Sequence, residues 1–525
     1  MEASKEIAAF LADFCCRMGV NDVPAVEAAA GCTARKRKRM MDYRIFIGKP
    51  SCANLLPHID CLIRELLSAS VAWPVPIAKC DVVLPSRYVE VSLDRAAAYR
   101  SLLGCIFGIP STEESERYAC GADVLIFVPH LDTSFTSVRT ELLAAYVARC
   151  YTERCTSAVI YTIKQFSTQQ QLDTVSVVTC SGDCLLRTPE NDLARMAICS
   201  EFYDEEDMTF DLRGYAVSKG LNAIGYDRCL RKVSIESQAF VIASQLAHAL
   251  QSHCDTPPGI VLVVAPSCKS FVVQQAGLLC QLELAENKPQ VLHLIHEGSV
   301  EPANLSLEDY WQWRKEFVTD AFHRPLAFSS PEDLTFADSP RSGNRLQAAV
   351  NVLVGTEVVY EFLSSKQNVK MKLVERLGHA EKGHYFCQYT LARIAAILSK
   401  YESAVKEGVY AALCPLQDVD CALLSEDSEW LLWHRLCQCW QVLGEPTPVQ
   451  LPNCIGVEAN AHSLLRALEG LCSEFSAYYG KVRVLLHPEP HLNATVCARM
   501  WLIKAIQKTV LCVLKRFGLR ALDRM

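Results

Sequence analysis

The sequence predicts a multi-domain protein in which an α/β part is followed by an all-α part. Between about residues 120 and 297, short apolar runs alternate with helical patterns, which is typical of a parallel sheet of Rossmann-like type. After about residue 345 the strand signals fade and only helical patterns remain. A linker rich in Pro, Ser and Asp, Pro325–Asn344, separates the two parts. The length of 525 residues allows two to four domains.

The α/β part, residues 116–345, contains apolar runs of strand length. Val124–Val128 precedes a helical pattern that includes Val138 and Val147, and Val159–Ile163 follows as the next strand. A βαβ unit is predicted from Ile260–Ala265, Phe271–Leu282 and Val291–Ile295.

Residues 1–115 mix helical and strand patterns and are predicted to form an α+β domain. Ile7, Phe10, Leu11 and Phe14 recur at helical spacing in a charged stretch, so we expect an amphipathic helix ending near Gly19 rather than a signal peptide. No run of 18 apolar residues is present, which argues against a membrane span. We therefore expect a soluble cytoplasmic protein.

The 26 cysteines do not form a recognisable metal-binding pattern. No Cys-x-x-Cys occurs, and the closest pairs are Cys15/Cys16, Cys180/Cys184 and Cys437/Cys439. We expect reduced thiols, with Cys497 and Cys512 acting as small apolar residues, and no metal or cofactor.

The C-terminal part, residues 346–525, is predicted to be a helix bundle. Its helical patterns cover Tyr385–Glu407, Leu423–Leu443, His462–Tyr479 and Ala494–Phe517. In the last helix one face is apolar: Ile503, Ile506, Val510, Val513, Leu514 and Phe517. Lys504, Lys508 and Lys515 form a stripe on the opposite face.

Charge is distributed unevenly along the chain. Residues 475–525 contain nine basic and two acidic residues, a net charge of +7, whereas the rest of the chain carries −14. A basic C-terminal segment in an otherwise acidic chain favours a polyanionic binding partner at that segment. A solvated basic helix without a partner is the alternative.

Three C-terminal segments resemble arginyl-tRNA synthetases. Gly383–Ile394 is similar to the segment that opens the DALR anticodon-binding domain of these enzymes, and Phe475–Leu485 is similar to their helix that leads into a short Val-Leu loop. Ala498–Leu519, followed by Asp523–Met525, looks like their terminal helix and final residues. The resemblance implies a class I synthetase core of Rossmann-like type, followed by an all-α DALR domain that binds the anticodon stem and loop of an arginine tRNA.

The resemblance also indicates which residues should contact RNA. Tyr389 is expected to serve mainly in packing, whereas one tyrosine of the pair Tyr478-Tyr479 is expected to reach the anticodon loop. The complete predicted set is Gln388, Tyr389, Arg393, Tyr478, Tyr479, Lys481, Arg483, Arg499, Lys504, Lys508, Lys515, Arg524 and Met525.

The ATP-handling motifs of the synthetases are degenerate in this chain. Alignment on Arg139 puts Ser134 and Ser137 where the two histidines of the HIGH motif belong, and Thr136 where its glycine belongs. The second signature of the synthetases is a loop that contains an essential lysine. The segment nearest to it here is Arg341-Ser342-Gly343-Asn344, which lacks the lysine. Since a hydroxyl cannot supply a cationic donor, we expect a pseudoenzyme without catalytic residues.

Other motifs carry little functional information. The chain contains no phosphate-binding P-loop, His-Glu-x-x-His helix or Gly-x-Ser-x-Gly elbow. His130 is interpreted as a loop or core residue. The basic run Arg35–Arg39 is interpreted as a solvated loop, with a tRNA contact or a nuclear signal as alternatives.

The pattern of the whole chain is similar to a group of synthetase paralogues that keep the DALR domain. Glu429–Leu432 and the preceding Val409–Leu424 carry this similarity. It implies a non-catalytic adaptor that binds arginine tRNAs and works with a methyltransferase-like enzyme forming 3-methylcytidine in the anticodon loop. An active arginine–tRNA ligase and a tRNA-independent scaffold are the alternatives.

Overall fold

The computed structural model describes most of the chain. The described residues are 2–18, 23–28, 42–47, 55, 57–83, 88–108, 124–129, 134–153, 158–162, 176–179, 189–220, 225–253, 258–283, 289–301, 306–323, 343–373 and 386–522. The basic run Arg35–Arg39, His130, the pair Arg341-Ser342 and the final Asp523–Met525 lie outside them. In the described part, no helix has the length and apolar character needed to cross a membrane.

The N-terminal region combines an antiparallel sheet with three helices. Its strands are β1 (Ala25–Ala28), β2 (Tyr43–Phe46), β3 (Ile77–Val83) and β4 (Tyr88–Leu93), in the order β1-β2-β4-β3. Its helices are α1 (Glu2–Arg17), α2 (Ile59–Ser70) and α3 (Arg95–Phe107). The amphipathic first helix is confirmed, because Ile7, Leu11 and Phe14 are buried and the helix ends close to Gly19.

A five-stranded parallel sheet forms the centre of the molecule. Its strands are β5 (Val124–Val128), β6 (Ala158–Thr162), β7 (Ser176–Thr179), β11 (Ile260–Pro266) and β12 (Gln290–His296), in the order β12-β11-β5-β6-β7. The helices of this part are α4 (Phe135–Thr152), α7 (Gln238–His253) and α8 (Ser270–Glu283). The predicted alternation of strands and helices is therefore confirmed. Side chains on both faces of β5 are buried, which explains why this strand is uniformly apolar.

A small unit between β7 and α7 was not predicted. It contains α5 (Pro189–Ile198), β8 (Tyr203–Asp204), β9 (Thr209–Asp211), α6 (Leu212–Ser218) and β10 (Lys232–Ser234). The three strands form an antiparallel sheet. Strands of two or three residues are too short to show an alternating pattern, which is why the sequence does not reveal them.

Helices dominate the rest of the chain. They are α9 (Leu307–His323), α10 (Gly343–Leu363), α11 (Phe386–Lys406), α12 (Asp427–Gly444), α13 (Ala461–Tyr479) and α14 (Asn493–Arg516). The short strands β13 (Val300–Glu301) and β14 (Met371–Lys372) pair in parallel, and β15 (Val449–Gln450) and β16 (Val457–Glu458) form a hairpin. Helix α12 begins four residues later than predicted, because Glu426 and Glu429 form a capping box at its start.

The hairpin β15–β16 joins the helix bundle to the central sheet. His293 of β12 donates its backbone N–H to the carbonyl of Ile455 at 2.8 Å. The amide side chain of Gln290 donates to Gln450 at 3.2 Å. The bundle thus covers the edge strand β12, which would otherwise present unpaired backbone groups.

One cysteine pair departs from the expectation of reduced thiols. Cys414 and Cys497 are joined by a disulfide, with their Cα atoms 6.6 Å apart. Spacing along the sequence could not indicate this pair, because 83 residues separate the two cysteines. The bond links the segment after α11 to the first turns of α14. The role predicted for Cys497, that of a reduced apolar residue, is therefore corrected.

Candidate nucleic-acid interface

The guanidinium of Arg393 lies between two tyrosine rings at the surface of the helix bundle. Its Cζ atom is 4.8 Å from the ring centroid of Tyr389 and 5.1 Å from that of Tyr479. Arg393 and Tyr389 share one face of α11 because they are four residues apart, and Arg393 donates a hydrogen bond to the Tyr389 hydroxyl. Tyr479 is the last residue of α13. All three side chains are half-buried.

Two phenylalanines extend this arrangement on either side. Phe386 stacks on Tyr389 at 6.2 Å, and Phe475 stacks on Tyr479 at 6.1 Å. We call Tyr389, Arg393 and Tyr479 the tyrosine–arginine stack. It offers partly exposed aromatic and guanidinium groups of the kind on which unpaired bases stack.

The tandem tyrosines have different environments. Tyr478 is 1% exposed, and its hydroxyl donates to the Glu429 carboxylate at 3.4 Å. Burial raises the pKa of Tyr478, and the neighbouring carboxylate raises it further. Consecutive helical residues point about 100° apart, so only Tyr479 reaches the surface stack. The prediction that Tyr478 contacts RNA is therefore corrected to a packing role.

Arg499 also lies inside the bundle. Its Nε atom donates to Glu429 at 2.8 Å, and its Nη1 atom donates to the carbonyl of Arg483 at 2.9 Å. The two charged side chains are 9% and 0% exposed. Arg499 therefore holds the loop after α13 from within, and its predicted contact with RNA is corrected.

Gln388 holds the end of the chain rather than RNA. It is fully buried, and its amide nitrogen donates to the carbonyl of Arg520 at 2.8 Å and to Thr356 at 3.1 Å. Its amide oxygen accepts from the backbone N–H of Leu522 at 3.1 Å. The expectation of an RNA contact at Gln388 is corrected, because both ends of the amide are used internally.

Two predicted cations remain exposed on the loop after α13. Lys481 and Arg483 are both exposed, whereas Val484 between them and the next helix is 3% exposed. The Tyr410 hydroxyl donates to the carbonyl of Leu486. The buried Val484 and the hydrogen bond from Tyr410 thus fix the inner side of the loop, while its charged side chains face solvent.

The predicted lysine stripe on α14 is only partly solvated. Lys515 is exposed, but Lys504 and Lys508 are half-buried. The Lys504 ammonium lies 5.5 Å from the ring centroid of Trp501, and the Lys508 ammonium lies 5.1 Å from that of Phe107 in α3. The opposite face, by contrast, is buried as predicted: Ile503, Ile506, Val510, Val513, Leu514 and Phe517.

The residues predicted to be a degenerate ATP motif make hydrogen bonds within the protein. Ser134 caps α4 by accepting from the backbone N–H of Ser137 at 3.4 Å. Thr136 donates its hydroxyl to the carbonyl of Gly298 at 2.6 Å. A Cβ atom on Gly298 would lie 2.6 Å from the Thr136 methyl carbon, so the two residues are in close contact.

Arg139 is a structural cation at the start of α4. It is 1% exposed and donates to the carbonyls of Glu297 at 2.6 Å and Val369 at 2.9 Å through Nη1. Through Nη2 it donates to the carbonyls of Lys366 at 2.9 Å and Ser365 at 3.5 Å. Burial lowers the pKa of Arg139 to about 10. Its guanidinium joins the parallel sheet to the segment after α10.

Potential metal ligands do not cluster in the described ranges. No group of three or more His, Cys, Asp or Glu side chains there is arranged to hold a metal ion.

Comparison with protein-family models places a known domain at the C-terminal end. Residues 387–525 match the DALR anticodon binding domain. The matched region contains α11 to α14, the tyrosine–arginine stack and the lysines of α14.

Curated relatives extend the similarity beyond this domain. DALR anticodon-binding domain-containing protein 3 of Rattus norvegicus is 24% identical over 499 residues, which are 89% of each chain. The protein of the same name from Danio rerio is 25% identical over 316 residues, covering 58% of this chain and about half, 53%, of that relative. The arginine–tRNA ligase of Carboxydothermus hydrogenoformans is 33% identical over 141 residues, or 27% of this chain and 22% of the ligase.

Solved structures show the same overall fold. The arginyl-tRNA synthetase of Plasmodium falciparum has a TM-score of 0.57 at 11% identity, covering 100% of this chain and 99% of that chain. The Thermus thermophilus enzyme has a TM-score of 0.54 at 13% identity, covering 99% and 100%. Residues 387–525 thus match a DALR anticodon-binding domain, and the chain that carries them has the fold of arginyl-tRNA synthetases and is similar over most of its length to DALR anticodon-binding domain-containing protein 3.

Proposed function

We propose that this protein is a non-catalytic adaptor that binds arginine tRNAs through its DALR domain. In this proposal it acts in the cytoplasm and supports formation of 3-methylcytidine in the anticodon loop by a partner methyltransferase. The observation that carries the RNA-binding part is the tyrosine–arginine stack, which lies in the matched domain next to the exposed Lys481 and Arg483. Stacking groups beside free cations suit an unpaired RNA loop.

The non-catalytic part rests on the degenerate ATP motif. Thr136 stands against Gly298, and the guanidinium of Arg139 is used by four main-chain carbonyls. The side chains at the start of α4 carry hydroxyl groups, where the resemblance to the synthetases puts imidazoles. An arginine–tRNA ligase is the rival enzyme function, and exchange of pyrophosphate into ATP in the presence of arginine separates it from the proposal.

The methyltransferase part rests on the resemblance of the whole chain to the synthetase paralogues that keep the DALR domain. We recognise no methyl-donor motif in the sequence, so the modification would be made by a partner in trans. Levels of 3-methylcytidine in arginine tRNAs should fall in cells that lack the protein, while aminoacylation of these tRNAs continues. Normal 3-methylcytidine in such cells would remove the partnership from the proposal.

The direct test of RNA recognition uses the full-length protein. Sequencing of copurifying RNA should show enrichment of arginine tRNAs, and labelled transcripts should bind more tightly than a tRNA for another amino acid. Equal affinity for all tRNAs would contradict recognition of arginine tRNAs. Failure of any RNA to crosslink to the protein would favour the tRNA-independent scaffold.

A further inference from the structure

Two helices from opposite ends of the chain pack against each other and contain no acidic residue. Helix α3 has 13 residues and α14 has 24, and neither includes Asp or Glu. The whole chain contains 59 acidic residues in 525. At that frequency, helices of this combined length would carry about four acids. The two helices themselves therefore carry only positive side-chain charges, in a protein whose net charge is −7.

Aromatic rings hold part of this positive charge in place. Phe107 of α3 contacts Trp501 of α14 edge-to-face, with ring centroids 5.0 Å apart. Lys508 lies over Phe107 and Lys504 lies over Trp501, as described above. The two lysines are half-buried, so the aliphatic parts of their side chains lie along the aromatic rings. Cation–π contacts of this kind restrict where the ammonium groups can be.

The remaining cations continue the same surface. Lys515 is exposed on α14, seven residues beyond Lys508 and therefore on the same side of the helix. Arg100 is exposed on α3, seven residues before Phe107, about 10 Å along the same side of that helix. We call this surface the acid-free strip; it consists of Arg100, Phe107, Trp501, Lys504, Lys508 and Lys515.

The cations of the strip are not neutralised within the part of the chain that the structure describes. Neither Arg100 nor the three lysines form an ion pair with the described carboxylates, although Asp420, beside the short helix Cys421–Leu423 that packs on both α3 and α14, acts on the same Cys421 thiol as Arg100. Glu153 lies close to this end of α14, but its carboxylate is paired with Arg516. Unpaired like charges on adjacent helices repel one another, and a bound polyanion would relieve that repulsion.

We infer that the acid-free strip binds the phosphate backbone of RNA, so that the N-terminal region contributes half of an RNA-binding surface whose other half belongs to the DALR domain. This inference rests on the proposed function and deepens it. Cations interleaved with aromatic rings suit a sugar–phosphate chain with unpaired bases. Phosphate contacts position an RNA without reading its sequence, so the strip supplies affinity and the tyrosine–arginine stack supplies selectivity.

Charge reversal at the two exposed ends of the strip tests this inference. Arg100→Glu changes the α3 half and Lys515→Glu changes the α14 half. Lys315→Glu is the matched control, because Lys315 is exposed on α9, outside the strip and the matched domain. Binding of a fluorescently labelled arginine tRNA transcript to the full-length protein is measured between low and physiological salt.

Each strip variant should bind about fivefold more weakly, and the slope of log affinity against log salt should become shallower by about one. The ratio of affinities for different tRNAs should stay the same, and Lys315→Glu should bind like the wild type. Phe107→Leu, which removes the ring but keeps an apolar side chain, should weaken binding less and leave the slope unchanged. Circular dichroism establishes that each variant is folded.

A failure of the proposed function and a failure of the acid-free strip give different binding results. A wild-type protein that binds no tRNA would remove the proposed function itself. If the wild type binds and Lys515→Glu weakens binding while Arg100→Glu matches Lys315→Glu, then α3 is not part of the surface and the inference is overturned. It is also overturned if both strip variants match the control, as would occur if the strip binds an acidic protein instead.

Discussion

The Glu429 carboxylate accepts a hydrogen bond from Arg499 at 2.8 Å inside the DALR domain, and the carbonyl of Arg483 accepts another from the same guanidinium at 2.9 Å. This buried pair links α12, α14 and the exposed loop after α13. Because Glu429 is also part of the capping box of α12, one carboxylate fixes the start of a helix and the position of the loop. The position of the exposed loop therefore depends on residues that are themselves buried.

Breaking the Glu429–Arg499 pair should destabilise the protein. Arg499→Met leaves the Glu429 charge buried without its cation, which typically costs about 3–5 kcal/mol. Chemical denaturation should show a lower free energy of unfolding. The double variant with Glu429→Leu should lose less than the sum of the two single variants. Strictly additive losses would show that the pair is not coupled.

Changing Tyr479 should alter selectivity more than affinity. Tyr479→Ala removes one ring of the tyrosine–arginine stack but leaves the cations of the loop and of α14 in place. Competition between arginine tRNAs and other tRNAs should show reduced discrimination, with total RNA affinity falling less. Tyr478→Phe is the control, because its side chain is buried and the change removes only a hydroxyl. Unchanged discrimination in Tyr479→Ala would exclude the stack as the selective element.

Stability should fall as the pH drops below about 6.5, owing to two buried histidines. Burial lowers the pKa of both His293 and His296 to about 4. The unfolded chain therefore binds protons between about pH 6.5 and pH 4, whereas the folded protein does not, and stability is lost as the pH falls through this window. At pH 4.5 each histidine should cost about 2 kcal/mol relative to pH 7.

His293 provides the check on this pH effect. Neither of its ring nitrogens has a hydrogen-bond partner in the described structure, so no partner offsets the cost of protonation. Urea unfolding of His293→Asn at pH 7 and pH 4.5 should show a smaller pH dependence than the wild type. The same pH dependence in both proteins would mean that other groups cause it.

Two glycines should respond to alanine in opposite ways. Gly518 has a φ of 67°, and a Cβ atom there would lie 2.0 Å from a guanidinium nitrogen of Arg149 in α4. Gly518→Ala should lower the melting temperature, since the left-handed conformation alone costs about 1–2 kcal/mol and Arg149 must also move. Gly104, within α3, has no atom near its Cβ position. Gly104→Ala should raise stability by about 0.5–1 kcal/mol, and a loss would contradict the open space seen there.

Arginine activation should be undetectable in the wild type. This prediction rests on the resemblance to the synthetases, which puts Ser134, Thr136 and Ser137 at the positions of their ATP-handling groups. Exchange of radiolabelled pyrophosphate into ATP, with and without arginine, measures this directly, and an active arginyl-tRNA synthetase serves as the positive control. Arginine-dependent exchange above background would restore the ligase alternative.

Local patterns in the sequence were sufficient for the first helix, for α4, α8 and α11 to α14, for four of the five strands of the parallel sheet, and for the similarity to the DALR domain. Hydrophobic periodicity is a local signal, and it identified the buried face of α14 correctly because that face repeats every turn. The same signal says nothing about what covers the other face. It therefore left Lys504 and Lys508 on a solvent-exposed stripe, whereas Trp501 and the α3 residue Phe107 lie beneath them.

Only the tertiary structure decided which predicted RNA-binding residues are available. Gln388, Tyr478 and Arg499 belong to the family-like segments, yet each is buried and bonded internally. The packing of α3 against α14 and the meeting of Arg393 with Tyr479 join residues far apart in sequence. Such contacts depend on how whole elements pack, and no local spacing encodes them. The sequence by itself therefore determined the type of domain, and the packing of its helices decided which side chains reach the surface.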